Sequence, residues 1–264
     1  MSDSLPVRVP PPPAAEDMDR LWRVLGPARA LARPVFLGEE NIPTSRPLMF
    51  VGNHTRYGVL DAPHLFVHLF RSHGIALRSL GDHAHWRVPA WRDLLERYGT
   101  VDGTRDNCAA VLRGGGCVLV FPGGAREAFK GKGQDYQLMW GERLGFARMA
   151  LQCRAQIVPF AALGADEVFN IGLDADGIMA SPVGPVLKAL GLRKDLIAPV
   201  PRVSGPGAMP KAERLYFQFA PPIDARIYDG RDDDAAARSL RNQAQTAIED
   251  AIDQLRAVRA GDPD

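Results

Sequence analysis

The sequence lacks an excess of either charge. Its 264 residues carry 32 Lys plus Arg against 31 Asp plus Glu, a net charge of +1. A nucleic-acid surface needs a basic excess, so no nucleic-acid partner is expected and only local basic clusters can matter. Cysteine is scarce. Cys108, Cys117 and Cys153 are widely spaced, odd in number and free of any C-x-x-C. That argues against a disulfide framework or zinc ribbon and makes a reducing cytoplasm the expected compartment. Cys117 sits in an apolar run and Cys153 in a helical pattern, so both are expected in the core. No run approaches the ~18–20 apolar residues of a membrane span. The opening stretch "MSDSLPVRVPPPPAA" has no signal-peptide apolar centre. A soluble or peripheral chain is expected.

Several catalytic motifs are also missing. There is no G-x-S-x-G elbow, which removes an α/β-hydrolase serine. No G-x-G-x-x-G follows a strand, and G-x-x-x-x-G-K-[ST] is absent, so dinucleotide and P-loop enzymes lose their footing. His64 and His68 lie four apart on a predicted helix, a spacing compatible with a metal. They lack the glutamate of H-E-x-x-H, and no third ligand is evident beside them, so no metal is expected. His83 and His85 in "GDHAHW" read as loop residues.

What is present is an alternation of strands and helices. Residues 1–15 read as a flexible proline-rich arm, and 16–264 as one domain. Residues 16–33 carry apolar positions at helical spacing, broken at Gly26-Pro27; this amphipathic segment either packs on its own domain or lies on a membrane. Strands are expected at 47–53, 75–80, 117–122, 155–163 and 214–220. Helices are expected at 62–73, 86–97, 105–113, 140–153 and 232–260. Residues 164–213 are rich in glycine and proline, with 200–211 read as loop. The last helix steps through Leu240, Ala244, Ile248, Ala251, Leu255 and Val258, with Asp232–Asp234 before it and Arg256 and Arg259 near its end. The implied fold class is α/β: a mostly parallel central sheet flanked by helices.

Two stretches carry chemistry. In "FVGNHTRYGVLD" a histidine, His54, follows a buried strand, where α/β sheets place ligands. A neutral imidazole there can take a proton from an attacking hydroxyl, given a partner that fixes its tautomer. Asp61 is one candidate partner. It equally precedes Ala62-Pro63 and an apolar helix, as a helix N-cap does. In "VLVFPGGAREAFKGKG", Pro122 ends a strand, and Gly123 and Gly124 allow close backbone approach to a ligand. Arg126, Lys130 and Lys132 add positive charge suited to phosphate or an oxyanion. A solvated turn is the plainer reading of that stretch taken alone.

Together, N-H…D after one strand, F-P-G-G-x-R-E after a later one and "IVPF" after the next helix resemble the glycerolipid acyltransferase superfamily. "FPGGAREAFKGKGQDYQLMWGERLGFARMAL", extended by "GADEVF", is similar to its monoacylglycerol/diacylglycerol acyltransferase-like branch, which includes plant phytyl-ester synthase-type enzymes. The likeness covers about residues 47–220. It implies acyl transfer from an acyl-CoA or acyl-carrier-protein thioester to a lipid hydroxyl, with no bound cofactor and no metal. It implies His54 as general base with Asp61 orienting it. Phe121, Pro122, Gly123, Gly124, Arg126 and Glu127 would form the acceptor- and phosphate-binding block, to which Lys130 is added as a substrate-binding candidate for its charge, and Arg105 in "GTVDGTR" matches a second arginine block loosely. The family places four residues between the histidine and the aspartate; here six intervene, which leaves Glu127 as an alternative partner. The expected partners are an acyl thioester and a lipid acceptor, with peripheral contact to the cytoplasmic membrane face. A silent acyl-binding protein and a His-dependent ester or thioester hydrolase remain the rival readings.

Overall fold

The computed structural model describes residues 7–189, 194, 197–202, 211–228 and 233–262. Its centre is the apolar run that the sequence marks most strongly. Leu48–Gly52 forms strand β2, buried at every position. Successive side chains of a strand point to opposite faces. Thus Leu48 and Phe50 join one core, while Met49 and Val51 join the other. A strand covered on both faces has no reason to alternate apolar with polar, and this one does not.

Among the described residues, eight strands make the main sheet. In chain order they are β1 (Val35–Leu37), β2, β3 (Leu77–Gly81), β4 (Val101–Asp102), β5 (Cys117–Val120), β6 (Gln156–Leu163), β9 (Tyr216–Phe219) and β10 (Ile223–Asp224). Across the sheet they run β1-β9-β6-β2-β5-β3-β4, with β10 also on β6. The pairs β6/β2, β2/β5, β5/β3 and β3/β4 are parallel, while β9 and β10 run antiparallel to β6. The sheet is therefore mostly parallel with a reversed edge. Parallel neighbours need crossover segments, here α3 (Ala62–His73), α4 (Pro89–Arg97), α5 (Arg105–Arg113) and α7 (Gly145–Cys153).

One face is covered by α5, α7 and the C-terminal helix α10 (Asp234–Ala260); α3 packs on the other. Leu240, Ala244, Ile248, Ala251 and Leu255 are buried, as their spacing requires, whereas Val258 is exposed. The helix begins two residues later than expected. Asp233 is its N-cap, with its side chain accepting from the Ala236 N–H at 2.7 Å. Asp232 lies outside the described residues. All three cysteines are buried, and burial pushes the Cys108 thiol up to about 12.

Residues 16–33 form two helices, α1 (Ala15–Val24) and α2 (Gly26–Ala32), joined at Leu25. α1 packs on α3, and the guanidinium groups of Arg29 and Arg71 lie over the Trp22 ring, 3.3 and 4.9 Å from its centroid.

Four expectations are corrected. Part of the flexible arm is a strap: the Arg8 N–H donates to Asn107 Oδ1 at 2.8 Å, Arg78 donates to the Pro10 carbonyl at 2.6 Å, and Pro13 is buried. Its prolines fix φ and carry no N–H to satisfy. Residues 1–6 lie outside the described residues. The helix expected at 140–153 begins at Gly145, because Gly141 sits at φ 55° and turns the chain. Trp86 and Arg87 belong to a 3-10 turn (His83–Arg87) ahead of α4. Between 164 and 213 the chain is not only loop: β7 (Ile171–Leu173), α8 (Ala175–Ala180), α9 (Gly184–Ala189) and β8 (Val200–Pro201) lie there. Residues 203–210 of the expected 200–211 loop lie outside the described residues. Among the described residues, no helix is long and apolar enough to cross a membrane.

Candidate active site

β2 ends at Gly52, and Asn53 takes over its role. The Asn53 side chain donates to the Ala162 carbonyl at 2.9 Å and accepts the Ala162 N–H at 2.8 Å. A side-chain amide thus mimics one more backbone pair with β6. This frees the main chain to turn at His54 while the strand end stays registered.

His54 is then held by its backbone. Its N–H donates to Glu127 Oε2 at 2.8 Å, and its carbonyl accepts from Lys130 Nζ at 2.9 Å. The half-buried ring packs against Phe121, with centroids 4.3 Å apart. Gly58, at φ 63°, lies beneath it; a Cβ there would come within 2.4 Å of His54 Cε1. Nδ1 lies 2.9 Å from the Thr55 carbonyl. A carbonyl only accepts, so Nδ1 carries the proton and a neutral ring presents its lone pair at Nε2. Burial lowers the imidazole pKa below its ordinary value, against an opposing pull from Asp61.

Asp61 occupies the N-cap position of α3 but does not cap the helix through its side chain. Its backbone is already helical, and its side chain makes no cap bond to α3. The carboxyl is buried, and Oδ1 has no hydrogen-bond partner among the described residues. Burial raises its pKa, while the neighbouring Thr55 hydroxyl and His54 ring work in the opposite direction. Residues 54–60 form turns rather than a helix. A separation of seven therefore brings Asp61 to His54 through a folded loop, not along one helix face.

Glu127 meets the backbone of His54, not the ring. It is fully buried in the one-turn helix α6 (Ala125–Ala128) and spends both oxygens on amides, His54 N–H and, at 2.7 Å, Met139 N–H. Burial raises its pKa and those two bonds lower it. Gly123 must be glycine for this packing, since a Cβ would lie 2.2 Å from Glu127 Cδ. The Pro122-Gly123 turn is braced by Arg143, which donates to both carbonyls at 2.8 Å. Arg143 was not singled out by sequence, although it stands in the stretch 121–151 that carries the resemblance.

Lys130 is likewise displaced from its expected place. It is buried, and Nζ is 2.6 Å from Asp166 Oδ2. It cannot meet a substrate phosphate while held there. Asp166, from "GADEVF", also accepts the N–H groups of Arg56 and Tyr136. Arg56 is buried too, reaching Asp135 at 2.6 Å and the Lys130 carbonyl. This network of Arg56, Lys130 and Asp166 ties the histidine loop to the segment after β6. Arg56 and Asp166 were not singled out by sequence, although both stand in stretches that were. Arg126 and Arg105 are exposed, the first on α6 and the second at the start of α5 after β4.

A histidine at the C-terminal end of a central parallel strand, beside a buried carboxyl and a glycine turn, stands where α/β sheets place their ligands. The acyltransferase family model matches residues 33–162, just under half of the chain, which carries an acyltransferase domain over that stretch. Phytyl ester synthase 2, chloroplastic, of Arabidopsis thaliana is 29% identical over 250 residues, covering 85% of this chain and 34% of the plant protein. The human DGAT1/2-independent enzyme synthesizing storage lipids is 29% identical over 142 residues, covering 50% of this chain and 43% of that one. The chain thus spans well under half the length of these curated relatives. A crystal structure of the 1-acyl-sn-glycerophosphate acyltransferase from Thermotoga maritima aligns over 92% of this chain and 84% of that one, with TM-score 0.49 and 13% identity.

Proposed function

We propose that the chain transfers a fatty acyl group from an acyl-CoA or acyl-carrier-protein thioester to a hydroxyl of a lipid such as an acylglycerol, a lysophospholipid or a long-chain alcohol. One observation carries the reading: a ring with Nδ1 tied to a carbonyl, Nε2 left for a proton and burial favouring the neutral form. The acceptor oxygen attacks the thioester carbonyl as Nε2 takes its proton. The tetrahedral intermediate collapses, the C–S bond breaks, and the departing sulfur receives that proton from the imidazolium. Asp61 stabilises the imidazolium from its buried position. The Gly124 N–H already donates to the Phe121 carbonyl at 2.9 Å, so the Gly123 N–H is the amide of that turn offered to the developing oxyanion, and Arg126 and Arg105 are the cations offered to donor or acceptor phosphate. Peripheral membrane contact belongs to the same reading, supported by Val24 and Leu31, which are 69% and 62% exposed on the N-terminal helices.

The test is thiol release from an acyl-CoA, with monoacylglycerol, diacylglycerol, lysophospholipid and long-chain alcohol as acceptors. Ester formation that depends on acceptor supports the reading. Free fatty acid accumulating with acceptor present would instead mark a hydrolase, and acyl binding without thiol release a silent binding protein.

The pH profile gives an independent check. A general base must be neutral to act, so the rate falls as pH drops through the His54 pKa. Burial depresses that pKa, which places the acid limb of kcat/KM below the ~6.5 of an ordinary histidine. A limb centred at or above that value contradicts the assignment.

A further inference from the structure

The acyltransferase reading leaves three of the chain's histidine and acidic side chains unexplained at one point. Two histidines of α3, His68 and His73, direct Nε2 at the same oxygen, Oε2 of Glu39, at 2.9 and 2.5 Å. The donor atoms of all three residues lie within 4.8 Å of one another. A sequence reading pairs His68 with His64, but the His64 Nδ1 donates to the Leu60 carbonyl at 2.7 Å. The third ligand missing from the sequence comes from a separate element, the 3-10 turn Glu39–Asn41 that follows β1.

We infer that Glu39, His68 and His73 form a binding site for a divalent transition-metal ion of the zinc class. Two imidazole nitrogens and one carboxylate oxygen are a zinc ligand set that leaves a fourth position for solvent. Metal–ligand bonds of about 2.0–2.2 Å in a tetrahedron place donor atoms roughly 3.3 Å apart, so small side-chain shifts convert the present hydrogen bonds into ligation.

The donors are set before any ion arrives. The His68 ring stacks on Phe36 with centroids 3.5 Å apart and an interplanar angle of 3°. His73 is the last residue of α3, fixed by Gly74 in the left-handed C-cap conformation at φ 62°. Glu39 follows Gly38, at φ 70°, where a Cβ would lie 2.2 Å from the Phe219 carbonyl oxygen. The Asn41 side chain anchors the same turn by donating to that carbonyl at 3.0 Å. All three side chains keep a path to solvent, with exposures of 34%, 21% and 23% for Glu39, His68 and His73.

The topology separates this cluster from His54. α3 leads back from the end of β2 where His54 sits, and β1 runs opposite to β2. Both place their C-terminal ends at the other edge of the sheet. The ion therefore joins the β1 turn to the end of α3 and takes no part in proton transfer at His54.

The experiment uses the full chain without a histidine tag, stripped by chelator. Zinc is titrated against a chromophoric chelator, and cobalt(II) is followed by visible absorption. One zinc per chain, four-coordinate cobalt bands and a Tm that rises with zinc concentration are expected. Glu39→Gln and His73→Ala should each weaken zinc binding by at least about tenfold. The double variant His83→Ala/His85→Ala should bind as the parent does. Glu39→Gln is nearly isosteric, and far-UV circular dichroism checks that each variant is folded. Absence of stoichiometric zinc binding overturns the inference, as does equal binding by folded Glu39→Gln and the parent.

Discussion

Replacing His54 by alanine should lower kcat/KM for acyl transfer by about 10²–10⁴-fold, the contribution of a positioned general base, with Tm within a few degrees of the parent. Both halves of that expectation come from the same geometry. The main chain at residue 54 is clamped by Glu127 on its N–H and Lys130 on its carbonyl, and alanine keeps both groups. Among the described residues, the ring's one hydrogen bond is to the adjacent Thr55 carbonyl. Its removal strips Nε2 from the site without opening the loop. Turnover equal to the parent would exclude His54 as the base.

Two companion variants separate the carboxylates. Asp61→Asn removes the charge beside the imidazolium and should reduce kcat with little change in KM. Glu127→Gln turns one acceptor oxygen toward an amide N–H as a donor, so one of its two backbone bonds is lost. That variant should show a lower Tm first and lower activity as a consequence. The opposite pattern would exchange the roles of the two acids.

The sequence was most legible where one force acts alone. Buried apolar runs could be only central strands, so β2, β5 and β6 stand within a few residues of expectation. The spacing of α10 reported a single wide contact with the sheet. Very short elements without a long apolar run, such as β4, α6 and β8, escaped, because no period repeats within so short a span. The site divides in the same way. Residue type and strand-end position together place His54, Phe121 and the Gly123-Gly124 turn at neighbouring strand ends, where the fold has them. Lys130 was misplaced because a lysine beside a glycine turn reads as a phosphate ligand, and only the fold shows Asp166 waiting 36 positions later. Arg143 braces its turn through backbone carbonyls, and carbonyls leave no trace in a sequence. Glu39 joins His68 and His73 only once β1 is seen beside α3.

Lys130→Met should destabilise the protein by about 3–5 kcal/mol, a fall in Tm of roughly 10 °C. Lys130 and Asp166 are both fully buried and 2.6 Å apart. Taking two charges out of water costs as much as their attraction returns, so the intact pair is not the source of the effect. The effect comes from leaving one of them alone. Methionine fills most of the volume of lysine, but it leaves the Asp166 carboxylate buried with the N–H groups of Arg56 and Tyr136 and without its ammonium partner. The same change releases the His54 carbonyl, so activity should fall even well below the new Tm. The double variant Lys130→Met/Asp166→Asn removes the stranded charge and should unfold at a higher temperature than the single one. Chemical denaturation of the four proteins in the cycle measures the coupling. A Lys130→Met single variant as stable as the parent would mean that Asp166 does not depend on this lysine. The histidine loop would then rest on Glu127, Arg56 and the Tyr57 N–H bond to the Ala128 carbonyl.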